Sequence, residues 1–428
     1  MFFYRPILFT VLTILFLLFP IGHSETTGLN KFLIAQNSKF NQLIINKLIS
    51  ETNNRFIDSS IEKFRERNGL KGVAVAIVKN GRLVFAKGYG FANEQDKIPV
   101  TPNHLFRIAS VSKLVTAVAI LKLVENSKFS LDSKVFGKYG ILNDPKFLQI
   151  KDPRLEKITV RNLLDHSGGW TQNYGDLAFL PFVVAKYLGK PLPVDIDSYI
   201  QFVTTHRVHF EPGSLSAYSN LGYLILGKVI SKVTGLSYES FVQQEVLLPA
   251  GITAMQLGNS FEEEALPIEV HYYEPEDAKP TESYDGSSRL ATKTYGANDI
   301  HLLGSAGGWI ASVVDLMKLV NVIDNAPVVK DILSPGSIRE MTAVHPDGLD
   351  PLGWRTTNEN GEWWRTGTLA GSSALMKRQP DGISWVILSN TSTYKGPKLA
   401  IEMDRVMSHI LMKADRWPDF DLFPFIKN

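Results

Sequence analysis

The stretch ASVSKLVTAVAILKLVE, residues 109–125, constrains the fold more than any other. Val111, Leu114, Val115, Val118, Ile120, Leu121, Leu123 and Val124 place apolar side chains nearly all round it. A helix with no polar face has to be wrapped by the rest of the chain. The pattern therefore predicts a central helix with other elements built around it. Lys113 and Lys122 are its only charges ahead of Glu125, and Lys113 falls on the first turn. A buried ammonium is unfavourable unless it is partnered. Ser110 stands three residues earlier, and positions i and i+3 share a face. The hydroxyl and the amine are thus expected to be neighbours at a helix start, where free N–H groups favour developing negative charge.

Strand signals lie towards both ends of the chain. GVAVAIVK and RLVFAKGYG are joined by Asn80-Gly81, a two-residue hairpin signal. EWWRTGTLAGSSALMKRQ and ISWVILSNTS read as two or three antiparallel strands with a turn at Pro380-Asp381-Gly382. Helical patterns dominate residues 103–260 and recur in ASVVDLMKLVNVID and LAIEMDRVMSHILMKA. This layout predicts an α+β fold (an α/β sandwich). Its antiparallel sheet is built from N- and C-terminal segments and flanked by helices, with a mainly helical lobe inserted. The expected boundaries are one domain over 55–415, divided into a sheet lobe (55–102 and 301–415) and a helical lobe (103–300), then a tail over 416–428. Residues 261–300 are acidic and contain Pro and Tyr, and are expected to form a surface excursion or a lid-like insertion.

At the N-terminus, Arg5 precedes an uncharged run from Pro6 to Gly22 that contains two prolines. A spanning helix wants ~20 apolar residues, so residues 1–24 are expected to be a cleavable signal peptide, with an uncleaved membrane anchor as the alternative. Residues 25–54 read as a polar leader. The expected location is periplasmic or extracellular. The absence of Cys excludes disulfides, thiolate metal sites and a cysteine nucleophile. Lys+Arg 45 against Asp+Glu 43 gives no reason to expect nucleic acid as a partner. Any membrane contact would come through an uncleaved signal segment.

A hydroxyl becomes a nucleophile when a base lies beside it, and burial lowers a lysine pKa enough for the amine to be that base. Ser110 and Lys113 fit this pattern. Ser-x-x-Lys also occurs at Ser60–Lys63 and Ser392–Lys395, but only Ser110 opens a fully apolar helix. Tyr218-Ser219-Asn220 lies in a Pro/Gly/Ser loop just before another apolar helix, and Tyr218 is a candidate proton shuttle. Arg365-Thr366-Gly367 lies in a strand-like run, where Gly lets substrate approach the backbone and Arg365 would bind a carboxylate bidentately.

Ser-x-x-Lys, then Tyr-x-Asn, then a cation-Thr-Gly strand resembles the serine β-lactamase and penicillin-binding protein superfamily. LFRIASVSK, ITVRNLLDHSGGW, FEPGSLSAYSNLGYLILGKVISKVTG, LLGSAGGWIASVVDLMKLV and RTGTLAG look like its class C branch, which includes D-alanyl-D-alanine carboxypeptidases and esterases. The resemblance covers roughly residues 55–415. It implies Ser110 as the acylated nucleophile, Lys113 as its activating amine and Tyr218 as the group passing the proton to the leaving group. It implies Asn220 as a holder of the substrate amide and of Lys113. Thr366 and Gly367 match directly, and the backbone N–H groups of Ser110 and Thr368 would form the oxyanion hole. No metal or organic cofactor is implied. The departure is Arg365, where Lys or His is usual; Arg cannot lose its proton at any working pH.

The expected function is that of a serine hydrolase acting through an acyl-enzyme on an ester or amide: a β-lactam, a D-alanyl peptide or a small ester. The competing reading is a non-catalytic binding or scaffold protein that kept the fold, and the intact Ser110, Lys113, Tyr218 and Asn220 set speaks against it. His166 is expected to organise its loop, because neighbours in sequence such as Asp165 and Ser167 do not face it on a helix. His206 and His209 lack a third ligand and are expected on the surface. Trp170, Trp309, Trp363 and Trp364 are candidates for a cleft wall or for core, and Glu262–Glu264 reads as a solvated face.

Overall fold

The computed structural model describes residues 55–414 and 417–426. The expected signal segment and leader lie outside the described residues. Helix α1 (Arg55–Arg67) opens the fold and buries Ile57, Ile61 and Phe64, a single stripe at helical spacing. Strands β1 (Gly72–Lys79) and β2 (Arg82–Asn93) form the expected hairpin. Asn80 (φ 49) and Gly81 (φ 75) are both left-handed, as a two-residue turn between twisted strands requires. Strand β3 (Ile98–Pro99) borders β2.

The apolar helix is α2 (Ser112–Glu125), entered through a 3₁₀ turn at Ala109–Val111. All its residues from Ser112 to Leu121 are buried, and so is Leu123, which accounts for a sequence with no polar face. Helix α3 (Asn220–Thr234) packs against it, as does the Gly304–Gly308 segment. Helix α4 (Val313–Asn321) is shorter than the pattern implied. Ser312 caps it by accepting from the Asp315 amide, and Trp309–Ala311 is instead a short strand beside Phe106–Arg107 and Gln256–Leu257.

The C-terminal third supplies β4 (Thr356–Thr357), β5 (Trp363–Leu369), β6 (Ser372–Arg378) and β7 (Ile383–Ser389), then helix α5 (Leu399–Lys413). The seven strands run in the order β3-β2-β1-β7-β6-β5-β4, every neighbouring pair antiparallel. The two ends of the chain therefore meet in mid-sheet, with Val73 opposite Ser389 and Lys79 opposite Ile383. β7 is buried throughout and β1 up to Val78, so both read as unbroken apolar runs. Helix α4 packs against β1, β2 and β7; α1 and α5 pack against each other and against β2 and β6.

Residues 261–300 form no lid. Leu105 donates to Ile268 O (3.0 Å), Val270 to Leu105 O (3.0 Å) and Tyr273 to Asn390 O (3.0 Å), which stitches the excursion onto the strand leading to Ser110 and onto the end of β7. The buried Arg107 guanidinium lies over the Tyr272 and Tyr295 rings, at 4.3 and 5.3 Å. The excursion is irregular apart from short turns and a ribbon of Thr281–Glu282 with Leu290–Ala291. Residues 417–426 dock on the sheet, where the Leu422 amide donates to Leu83 O (2.9 Å). Among the described residues no helix is long and apolar enough to cross a membrane.

Candidate active site

Ser110 sits in the 3₁₀ turn that feeds α2, at the floor of a cleft of about 640 Å³. The residue before it, Ala109, is held left-handed (φ 47), a conformation that costs an L-residue ~1–2 kcal/mol. β5 lies directly against this turn, and Gly367 permits it. A Cβ on Gly367 would stand 2.1 Å from Ile108 O and 3.1 Å from the Ser110 amide nitrogen. Any side chain there would push the strand away from the Ser110 turn.

Lys113 follows one turn later and is 0% exposed. Its ammonium donates to Ser110 Oγ (3.2 Å), to Asn220 Oδ1 (2.6 Å) and to Ala306 O (2.5 Å). All three donors are used, which is what makes a buried ammonium tolerable. Burial lowers its pKa from the usual lysine range to about 8; Tyr218 opposes that shift and the Arg365 charge adds to it. At pH 7 about one-tenth of such an amine is neutral.

Tyr218 donates to Ser110 Oγ at 2.6 Å. Burial alone would raise its phenol; the positive charges of Lys113 and Arg365 outweigh burial and leave it below the usual tyrosine range. The loop that carries it is fixed by His166, whose backbone is left-handed (φ 62). The His166 carbonyl accepts from the Ala217 amide (2.9 Å) and Nδ1 from the Ser219 amide (3.2 Å). Its ring also stands 4.6 Å from that of Tyr218, a contact not readable in the sequence. Burial, reinforced by Arg365 and Lys113, keeps this imidazole neutral, with a pKa well below the usual histidine value.

Arg365 departs from expectation. It is 1% exposed, and its donors turn inward: Nε to Ser110 O (2.8 Å), Nη1 to Trp354 O (3.3 Å) and Nη2 to the Tyr218 hydroxyl (3.3 Å). On β5 the side chains alternate, so Trp363, Arg365 and Gly367 are buried while Thr366 and Thr368 reach the cleft wall. A guanidinium bonded this way braces Tyr218 and the Ser110 backbone, and three of its five donors are already used. Arg365 still contributes to the cleft lining despite its burial, whereas Gly367 lies under the cleft and does not line it.

Three cleft residues carried no sequence signal. Arg355, on the segment before β4, has a side chain 47% exposed and stands 5.8 Å over the Tyr218 ring, with one ion pair to Asp350 at 3.3 Å. Asp176 accepts from Asn220 Nδ2 at 2.5 Å and from Gln172 Nε2 at 2.6 Å, and both Asp176 and Gln172 line the cleft. No residue of 261–300 lines it. A second, smaller cavity of about 250 Å³ shares Gln172, Asp176 and Tyr218 with it and is walled by Trp170, Phe202 and His206. Of the other tryptophans, Trp309 is buried and donates to the Tyr238 hydroxyl (2.9 Å), Trp363 is buried, and Trp364 lies under Lys377 at 5.5 Å. His206 stacks on Phe202 at 4.0 Å, and His209 accepts from the Thr171 amide (3.1 Å). Among the described residues no cluster of three or more potential metal ligands is present.

Comparison with known proteins gives this geometry a family. Protein flp of Staphylococcus aureus is 25% identical over 359 residues, 82% of this chain and 66% of that protein, so the chain spans about 66% of the length of the curated relatives it matches. The octameric penicillin-binding protein homologue from Pyrococcus abyssi superposes with a TM-score of 0.61 at 27% identity, covering 85% of this chain and 78% of the other. The D-amino acid amidase from Ochrobactrum anthropi SV3, complexed with L-phenylalanine amide, superposes with a TM-score of 0.62 at 22% identity, covering 85% and 99%, and shares the fold. The beta-lactamase family profile matches residues 57–405. A chain with this sheet, this inserted helical lobe and a match over that span belongs to the beta-lactamase family.

Proposed function

We propose that this protein is a serine hydrolase that cleaves an ester or amide through an acyl-enzyme. One observation carries the reading: Ser110 Oγ lies between the Tyr218 hydroxyl at 2.6 Å and the Lys113 amine at 3.2 Å, on the floor of an open cleft. Two basic groups with lowered pKa values, both within hydrogen-bond reach of one alcohol, are what activation of that alcohol needs. As Ser110 Oγ bonds to the carbonyl carbon, its proton passes to whichever of Lys113 and Tyr218 is in its basic form. The oxyanion develops beside the Ser110 amide and the Thr368 segment of β5. Collapse of the intermediate breaks the acyl bond, and the proton returns to the leaving group through Tyr218. Water then attacks the acyl carbonyl and gives a proton to the same Lys113–Tyr218 pair, and the Ser110 Oγ–carbonyl bond breaks as Oγ takes that proton back, releasing the acid. Arg365, always charged, favours the ionised form of Tyr218 throughout.

Arg355 takes over the role expected of Arg365. Both cations line the cleft, but Arg355 is the exposed one, so a substrate carboxylate would meet it first. A small amino-acyl amide or ester suits the volume, in keeping with the amide ligand of the Ochrobactrum anthropi amidase complex. Export to the periplasm or the exterior is proposed on the composition of residues 1–24.

A fluorophosphonate or penicillin probe is expected to label the wild type and leave Ser110→Ala unlabelled. Equal labelling of the variant would reject Ser110 as the nucleophile, and a wild type inert to every ester, amide and β-lactam tried would favour a binding protein.

A further inference from the structure

We propose that Asp176 is a positioning residue for the reaction, acting on Lys113 through the side chain of Asn220. The proposal rests on the acyl-enzyme reading. A carboxamide has nearly the same shape in its two orientations, yet only one works here. Lys113 needs an oxygen acceptor, and a flipped Asn220 would set an NH₂ donor against an ammonium. Asp176 settles the choice. An ionised carboxylate only accepts, so it takes the Asn220 Nδ2 donor at 2.5 Å and leaves Oδ1 to Lys113 at 2.6 Å.

Asp176 is itself held. Its Oδ2 also accepts from Gln172 Nε2 (2.6 Å), and its Oδ1 accepts from the Ala178 amide (3.2 Å) as the cap of the turn Leu177–Phe179. A relay thus runs from the cleft-lining loop at 172–179 through Asp176, Asn220 and Lys113 to Ser110. Asp176 also adds the carboxylate charge near an amine otherwise faced by Tyr218, by the Arg365 cation, by the neutral His166 and by the Tyr223 ring at 5.5 Å. That charge favours the ammonium, against burial and Arg365.

The test is a double-mutant cycle read against pH with a neutral nitrophenyl ester. Asp176→Asn is isosteric and removes both the charge and the unambiguous acceptor. It is expected to lower kcat/KM about 10- to 100-fold. It should also move the acidic limb of the profile to lower pH by roughly half a unit, since an amine relieved of an anion deprotonates more easily. In an Asn220→Ala background the same change is expected to cost less than about threefold, because the route to Lys113 is already cut. Asp176→Ala is read in the same way should Asp176→Asn fold poorly, and Asp176→Glu is expected to restore the limb. Losses that multiply independently, or a limb that stays in place, would overturn the proposal. Fluorophosphonate labelling of the same proteins separates the two levels. Labelled Ser110 with an unmoved limb defeats Asp176's role alone, and an unlabelled wild type defeats the acyl-enzyme reading with it.

Discussion

Arg365 and Arg355 hold their guanidinium groups 5.7 and 5.8 Å from the same Tyr218 ring, yet the first is 1% exposed and the second has a side chain 47% exposed. Arg365 projects from the inward face of β5 and is bonded to Ser110 O, Trp354 O and the Tyr218 hydroxyl. Arg355 reaches the cleft mouth with a single carboxylate partner. Burial, more than residue type, decides what each cation does. The buried one sets the electrostatic level of the floor, where Ser110, Lys113 and Tyr218 meet. The exposed one stands on the rim of the cleft, whereas Asp176, bonded through Asn220 to Lys113, belongs with the floor. Floor changes should therefore alter the chemistry for every substrate, and rim changes should discriminate among substrates.

Lys113→Met gives the largest expected effect. Loss of the amine should lower kcat about 10²–10⁴-fold for esters and amides alike. A thermal melt measured alongside should show a much smaller change than removal of a typical buried charge partner, because Met fills the space without needing a counter-charge. A rate within tenfold of wild type would show that Tyr218 alone is the base. Gly367→Ala comes next. Its Cβ has no room against Ile108 O, so β5 must shift away from the Ser110 amide. The expected loss is about 10²-fold in acylation, the scale of a misplaced oxyanion donor. Retained acylation would mean that β5 contributes no donor.

The pH profile sharpens the contrast. If Lys113 is the base, activity rises as pH climbs towards about 8, because the neutral amine is the active form. Arg365 lowers the pKa of both Lys113 and Tyr218, so Arg365→Met should move this rising limb to higher pH and depress activity at pH 7. Arg355→Gln should leave the limb where it is. The smallest effect is that of Arg355→Gln on specificity. About tenfold in kcat/KM, equivalent to ~1.4 kcal/mol, is expected for a substrate carrying a carboxylate, with little change for a neutral ester. Equal losses on both substrates would erase the distinction between floor and rim.

Local signals in the sequence are enough for two of the three floor residues. Ser110 and Lys113 are one helical turn apart, so their proximity follows from periodicity. Asn80-Gly81 demands left-handed backbone, so its turn was readable too. Tyr218 needed more: its place beside Ser110 depends on how α3 packs against α2, and only its order relative to the other motifs hinted at that. How deeply Arg365 is buried is not legible in the sequence, because a strand's two faces are equivalent until the register with β6 and the position of the Ser110 turn are known. Arg355 and Asp176 stand in irregular segments with no period, and their side chains matter only through contacts made across the fold. The polarity of residues 261–300 suits a surface excursion or a lid-like insertion equally. Tyr272 and Tyr295 of that stretch clasp Arg107, and aromatic rings paired with a buried arginine look no different in sequence from rings on a surface flap.

The packing of α1 against α5 brings the first and last α-helices of the described residues side by side, with an ion pair between Arg67 and Glu402 at 3.1 Å. The order in which the elements are strung is thus separable from their arrangement in space. A circular permutant that links the end of α5 to the start of α1 through a short flexible tether, and opens new ends in an exposed bend such as Asp347-Gly348, should still assemble the Ser110 turn.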